Sequence, residues 1–117
     1  MTVERRSEPR QPQELQVRLD GPKGRARLIA RDISSGGLFV ETPTSYPLGQ
    51  ILECRLEVPE AGRKLRLDIT AEVRHQSNSY HTEDGRGPFR GLGLRFIRMD
   101  AEVQAALQQY LRAQSIG

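Results

Sequence analysis

The chain has 117 residues, a length that fits one domain with its own hydrophobic core. Its single cysteine, Cys54, excludes an internal disulfide, and no apolar run approaches the roughly 20 residues of a membrane-spanning helix. The N-terminal stretch MTVERRSEPRQPQE lacks the apolar run of a secretory signal. We therefore expect a cytoplasmic protein that does not insert into a membrane.

Positive charge is concentrated in the first part of the chain. Residues 1–31 hold eight of the 18 basic residues and four of the 15 acidic ones, so they carry a net charge of +4 where the whole chain carries +3. A basic arm on a near-neutral body predicts an anionic partner, either a nucleotide, a nucleic acid or an acidic protein surface. A solvated tail is the alternative that charge alone leaves open.

From Leu15 onward the sequence alternates apolar and polar residues, as strands with one buried face do. Segments rich in Gly, Pro and Ser separate the runs, and Gln76–Pro88 is a predicted surface loop. The apolar residues of the six runs are Leu15, Val17 and Leu19; Ala26, Leu28 and Ala30; Leu38, Phe39 and Val40; Leu52, Cys54, Leu56 and Val58; Leu65, Leu67, Ile69, Ala71 and Val73; and Leu92, Leu94 and Phe96.

The C-terminal segment changes to helical periodicity after Asp100, which is a predicted N-cap. The apolar face of this helix comprises Val103, Ala106, Leu107, Tyr110 and Leu111. Six or seven short strands without intervening helices predict an all-β antiparallel barrel or sandwich, with the helix across one open end. We divide the single domain into a basic arm of residues 1–14, a barrel of residues 15–99 and a helix of residues 100–114.

Two short motifs point to a binding site. An RxxxR pattern ends at Arg10, and a [D/N]xSxxG pattern begins at Asp32, about twenty residues later. A third distinctive segment, GLGLRF, occupies residues 91–96. The candidate ligand-binding residues in the two motifs are Arg5, Arg6, Arg10, Asp32, Ser34 and Gly37.

This combination resembles the PilZ family, bacterial receptor domains for the second messenger cyclic di-GMP, over nearly the whole chain. The resemblance implies a split barrel in which the arginine motif precedes strand one and the Asp32 motif lies between strands two and three. GLGLRF is similar to the final barrel strand of the family. The basic residue before the arginine motif, Arg5, implies two stacked ligands per chain. The resemblance also implies control of motility, exopolysaccharide production or biofilm formation.

The residue types suit such a ligand. Arginine presents a planar fork of donors to phosphate oxygens and can also stack on a base. The carboxylate of Asp32 can accept hydrogen bonds from the ring NH and amine of guanine, which adenine lacks on the corresponding edge. Ser34 adds a hydroxyl that both donates and accepts, and Gly37 permits either a close backbone approach or a positive φ.

Three other interpretations of these residues compete with this one. The Ser-Ser-Gly-Gly segment could be an ordinary turn capped by Asp32. The chain could be a PilZ-like adaptor that binds a protein without a ligand. It could also be a nucleic-acid-binding barrel, although that function favours exposed aromatic platforms, and the chain has three Phe, three Tyr and no Trp.

We expect neither an enzyme nor a metalloprotein. No base, nucleophile and orienting group are suggested together by the sequence. His75 and His81, near Glu83 and Asp84, lack the usual spacing of metal ligands. We expect no cofactor, a monomer or weak dimer, and an unidentified effector protein as the partner that receives the signal. Cys54 lies in an inward phase of its strand and is predicted to be a core residue.

Overall fold

The computed structural model describes residues 15–77, 83–88 and 90–116. Six antiparallel strands close into a barrel in the order β1-β2-β3-β6-β5-β4, and one helix follows. The elements are β1 (Leu15–Gly21), β2 (Gly24–Ile33), β3 (Gly37–Thr42), β4 (Ile51–Glu60), β5 (Arg63–Gln76), β6 (Arg90–Arg98) and α1 (Ala101–Ile116). The all-β class with a C-terminal helix is confirmed, and within the described ranges the strands number six.

The barrel interior is built from the alternating positions that the sequence indicated. The side chains of Leu19, Leu56 and Val73 have at most 1% of their surface exposed. Cys54 belongs to the same core, and burial, with smaller contributions from Asp68 and Glu53, raises the pKa of its thiol to about 12. The thiol is therefore protonated at neutral pH and acts as an apolar core side chain, as predicted.

The helix packs on the hairpin between β4 and β5. Leu107 and Tyr110 are buried in the core cluster, and Tyr110 lines a small cavity together with Val58 and Leu65. The backbone carbonyl of Asp100 accepts the first helical hydrogen bond from the Gln104 NH at 2.9 Å, which is the N-cap position. The helix runs to Ile116, two residues beyond the predicted end.

The predicted surface loop begins later than expected. Gln76 is the last residue of β5, and its side-chain Oε1 accepts a hydrogen bond from the Tyr46 NH at 2.8 Å. This partly buried polar contact ties the β3–β4 connection to the end of β5. Gln76 therefore has a structural role, which its polar side chain did not indicate in the sequence. In the part of the chain that the structure describes, no helix is long and apolar enough to cross a membrane.

Candidate ligand-binding site

A groove with a volume of about 360 Å³ lies on the outer wall of the barrel and is here called the ligand groove. Residues of β2, β3, β5 and β6 line it, together with the turn between β2 and β3. They are Asp32, Ser34, Gly36, Gly37, Leu38, Phe39, Arg74, Gly93, Leu94 and Arg95. The groove therefore brings together the three described residues of the Asp32 motif and part of the GLGLRF segment.

One cross-strand row runs along the ligand groove and ends at His75, just outside its lining. Asp32 pairs with Phe39, Phe39 with Gly93, and Gly93 with His75, so one residue from each of four neighbouring strands lies side by side. Neighbouring strands are about 4.8 Å apart, so the row spans roughly 14 Å. All four positions are on the solvent side of the barrel, because the alternate positions Leu38 and Leu94 are buried.

A β-bulge places Asp32 in this row. Ala30 pairs with Val40 and Asp32 pairs with Phe39, so Arg31 is an extra residue in β2. Ala30 faces the core, and without the bulge Asp32 would share that phase and bury its carboxylate. The bulge directs Asp32 to the partly exposed outer face and brings Ile33 inward. Arg31 itself forms an ion pair with Glu41, with Nη2 and Oε1 3.1 Å apart.

A second bulge flanks the opposite side of the ligand groove. Val73 pairs with Leu94 and His75 pairs with Gly93, so Arg74 is the extra residue of β5. Arg74 is exposed, and its Nη1 lies 3.5 Å from Glu72 Oε1. Because exposed pairs of this length contribute little energy, the guanidinium can exchange Glu72 for a ligand anion at low cost.

Glycine in β6 leaves one position on the floor of the ligand groove without a side chain. Gly93 occupies the middle of the cross-strand row, and a Cβ there would lie 3.2 Å from the Cβ of His75. The ring of Phe39 covers Gly91, where an added Cβ would be 2.1 Å from Phe39 Cζ. A flat planar group therefore has access to the backbone at Gly93, beside the ring of Phe39.

The turn of the Asp32 motif is closed by Ser34. The Ser34 NH donates to the Gly37 carbonyl at 2.9 Å, and the Ser34 Oγ accepts from the Gly36 NH at 3.3 Å. The Phe96 NH donates to the Gly36 carbonyl at 2.8 Å and fixes the turn to β6. Ser34 therefore has a structural role in the turn as well as a position in the groove.

Gly37 is required by packing. A Cβ on Gly37 would lie 2.0 Å from the backbone oxygen of Leu94, which is far inside contact distance. The φ angle of Gly37 is not positive. Of the two roles that the sequence allowed, close backbone approach is the correct one, and the approaching backbone is the neighbouring strand of the barrel.

Three side chains of the ligand groove were not predicted from the sequence. Phe39, Arg74 and Arg95 line it, and Arg95 pairs across the strands with Gly37 and Glu72. The polar phase of β5 and the GLGLRF segment contained signals for Arg74 and Arg95. Nothing in the apolar run around Phe39 distinguished it from its inward neighbours. The other predicted contacts, Arg5, Arg6 and Arg10, lie outside the described residues, as does His81.

The family model of the PilZ domain matches residues 4–113. The chain therefore belongs to the PilZ domain family. No curated protein sequence matches the chain.

Solved structures of PilZ proteins resemble the chain in fold. The inhibitor of motility MotI/DgrA from Bacillus subtilis has a TM-score of 0.74 and 24% identity, with 96% of this chain and 52% of that chain covered. The MrkH–c-di-GMP complex from K. pneumoniae has a TM-score of 0.75 and 19% identity, with 96% and 52% covered. The PilZ domain of YcgR from Escherichia coli, solved with c-di-GMP, has a TM-score of 0.62 and 18% identity, with 95% of both chains covered. The chain thus spans about half the length of MotI/DgrA and MrkH.

A pair of glycine variants tests the packing of the turn. Gly37→Ala is expected to destabilise the protein by about 1–3 kcal/mol, because the new methyl group must displace β3 from Leu94. Gly36→Ala, where an added Cβ meets nothing within 4 Å, is expected to change stability by less than about 0.5 kcal/mol. Urea unfolding followed by circular dichroism measures both, and equal stability of the two variants would refute the close approach.

Proposed function

We propose that this protein is a cytoplasmic receptor that binds cyclic di-GMP in the ligand groove and is not an enzyme. The observation that carries the proposal is the cross-strand row from Asp32 to His75, with an outward carboxylate beside a floor of glycine. The Asp32 carboxylate accepts hydrogen bonds from the donor edge of guanine, and the absent side chain at Gly93 leaves room for the base. Two of the solved PilZ proteins, MrkH and YcgR, are complexes with this ligand.

The arm can reach the ligand groove from its point of attachment. The barrel begins at Leu15, whose partner Ala30 is two residues from Asp32 on the adjacent strand. Asp32 is therefore roughly 8 Å from the attachment point in the plane of the sheet. Arg10 is five residues before Leu15, a span of at most about 18 Å, and nine residues give Arg6 at most about 32 Å. Both arginines are close enough in sequence to cover a ligand held at Asp32.

The described cations of the groove complement those of the arm. Arg74 and Arg95 both line the groove on the side away from Asp32, on β5 and β6. A dinucleotide with its base at Asp32 would extend its phosphates toward these guanidinium groups, and charge-assisted contacts of this kind are stronger than neutral ones. Asp32 therefore selects the base, and the arginines neutralise the phosphates.

Ligand binding in this proposal orders residues 1–14 over the groove, with Arg5, Arg6 and Arg10 in contact with one or two stacked ligands. Such ordering costs part of the binding energy and creates a new surface from arm and ligand together. An effector protein that recognises this surface would receive the signal, in control of motility, exopolysaccharide production or biofilm formation. The alternative is a ligand-free adaptor of the same fold, which keeps the partner and loses the dinucleotide.

Isothermal titration with cyclic di-GMP tests the arm. The wild-type protein is expected to release or absorb heat with saturation, and Arg6→Ala and Arg10→Ala are each expected to lose binding while their melting temperatures stay unchanged. Each charge-assisted contact contributes about 1.5–3 kcal/mol, so one loss weakens binding by tenfold or more. Arg63→Ala, an exposed arginine on the β4–β5 hairpin, is the control for net charge.

The titration separates receptor from adaptor. Absence of heat at high micromolar ligand with the wild-type protein would favour the adaptor. Binding that persisted in the Arg6→Ala/Arg10→Ala double variant would move the site away from the arm.

A second titration tests the bulged arginine of β5. Arg74→Ala is expected to weaken cyclic di-GMP binding by about tenfold, because it removes a charge-assisted contact at a solvent-exposed position. Arg66→Ala removes the same charge from the outer face of the same strand, outside the ligand groove, and should leave the affinity within about twofold. Equal effects of the two variants would mean that Arg74 acts only through net charge.

A further inference from the structure

A row of arginines crosses the opposite wall of the barrel. Arg18 in β1 pairs with Arg27 in β2 on one side and with Arg55 in β4 on the other. All three positions are outward, because their neighbours Val17 and Cys54 are buried. Two strand spacings separate the outer members, so three guanidinium groups project from a span of roughly 10 Å.

This row opposes the stability of the sheet. Like charges on directly opposed positions of neighbouring strands are destabilising. The fold compensates in part: Arg55 Nε donates to Asp68 Oδ1 at 2.9 Å, and Arg18 Nη2 lies 3.3 Å from Asp20 Oδ2. Arg27 forms no ion pair with any residue in the described ranges. The arrangement has no evident structural benefit, which points to a binding function.

Arg18 carries an unsatisfied donor at the centre of the row. Its Nε is buried and finds no acceptor in the part of the chain that the structure describes. The side chain as a whole is 22% exposed, so it lies down against the wall instead of extending into solvent. A buried donor without a partner carries a cost, and a rotation of the Arg18 side chain that turns Nε toward an acceptor oxygen of a partner would remove it.

The row of arginines borders a second groove, which has a volume of about 330 Å³ and is here called the arginine groove. Its lining comprises Gln16, Val17, Arg18, Arg27, Leu28, Ile29, Arg55, Glu57 and Arg66. The single carboxylate among these residues, Glu57, is opposite Arg66 and lies 3.9 Å from Lys64 Nζ. The charge of Glu57 is thus balanced by the neighbouring Arg66 and Lys64 at one end of the groove. The other end, at Arg18, therefore keeps a net positive charge.

We propose that the arginine groove docks an acidic segment of a partner protein, with a carboxylate bound between Arg18 and Arg27. Guanidinium forks bind carboxylates bidentately, and the unsatisfied Nε of Arg18 gains an acceptor. The partly buried Ile29 beside Gln16 offers an apolar contact to a neighbouring side chain of the same segment. A peptide can supply both the carboxylate and the apolar side chain.

Nucleic acid fits the same surface less well. A polyphosphate backbone extends beyond one groove, and here it would meet the carboxylates of Asp20, Glu57 and Asp68 at the borders. Aromatic side chains that could stack with bases are absent from the lining among the residues described. A single acidic segment avoids the border carboxylates and uses the positive centre.

The arginine groove and the ligand groove are separate. They have no lining residue in common, although both use β2 and β5. The inference therefore does not depend on the proposed dinucleotide function and can be tested in the absence of cyclic di-GMP.

Fluorescence anisotropy with a fluorescein-labelled hexaglutamate peptide tests the inference on the full chain at physiological ionic strength. We expect saturable binding by the wild-type protein and about tenfold weaker binding by Arg27→Gln, an exposed position whose loss should not affect folding. Arg63→Gln removes one charge outside the groove and should change the affinity by less than about twofold. Arg18→Lys keeps the charge and removes the Nε donor, and it should also weaken binding by several-fold while the melting temperature is maintained.

Three results would overturn the inference. The first is no anisotropy change with the wild-type protein. The second is equal affinity of Arg27→Gln and Arg63→Gln, which would reduce binding to net charge. The third is tighter, Arg27-dependent binding of a fluorescein-labelled oligothymidylate, which would assign the groove to nucleic acid.

Discussion

Two extra residues, Arg31 in β2 and Arg74 in β5, control which side chains this barrel presents to solvent. In a regular strand, position 32 would follow Ala30 into the core and bury an ionised carboxylate without compensation. The bulges reverse the phase at both edges of the ligand groove, so the interior remains apolar and the charged groups lie outside. Between the two bulges, Gly93 of β6 has no side chain and leaves room for a ligand on the outer wall. Fold and site thus depend on the same local departures from regular pairing.

Regular pairing could be predicted from the sequence, whereas the local departures from it could not. Period-two alternation located the six strands of the described residues because burial acts on every second residue, and the change of period located the helix. The Asp32 motif indicated three of the residues that meet in the groove, Asp32, Ser34 and Gly37. The bulges were not visible, because an extra residue such as Arg74 has the same polarity as its outward neighbours. Phe39 was hidden for a related reason: composition does not reveal that an apolar residue covers glycine on the outside of the barrel. The roles assigned to Arg5, Arg6 and Arg10 stay predictions.

The two grooves occupy opposite walls and differ in chemistry. The ligand groove combines one selective carboxylate, a glycine floor and flanking arginines, an arrangement suited to a base with phosphates. The arginine groove combines a crowded row of guanidinium groups with an apolar edge, an arrangement suited to an acidic peptide. A receptor of the proposed kind needs one surface for the messenger and one for the protein that responds. The long strands β2 and β5 contribute to both surfaces and provide a physical connection between them.

The most direct test of the account is a map of backbone amide shifts in heteronuclear NMR spectra while cyclic di-GMP is added to the full chain. The largest changes are expected at Asp32, in the turn that follows it and along Gly91–Arg95. Amides of Arg18 and Arg55 on the opposite wall should change little. Saturating shifts confined to the opposite wall or to the helix, with Asp32 and Gly93 unaffected, would contradict it.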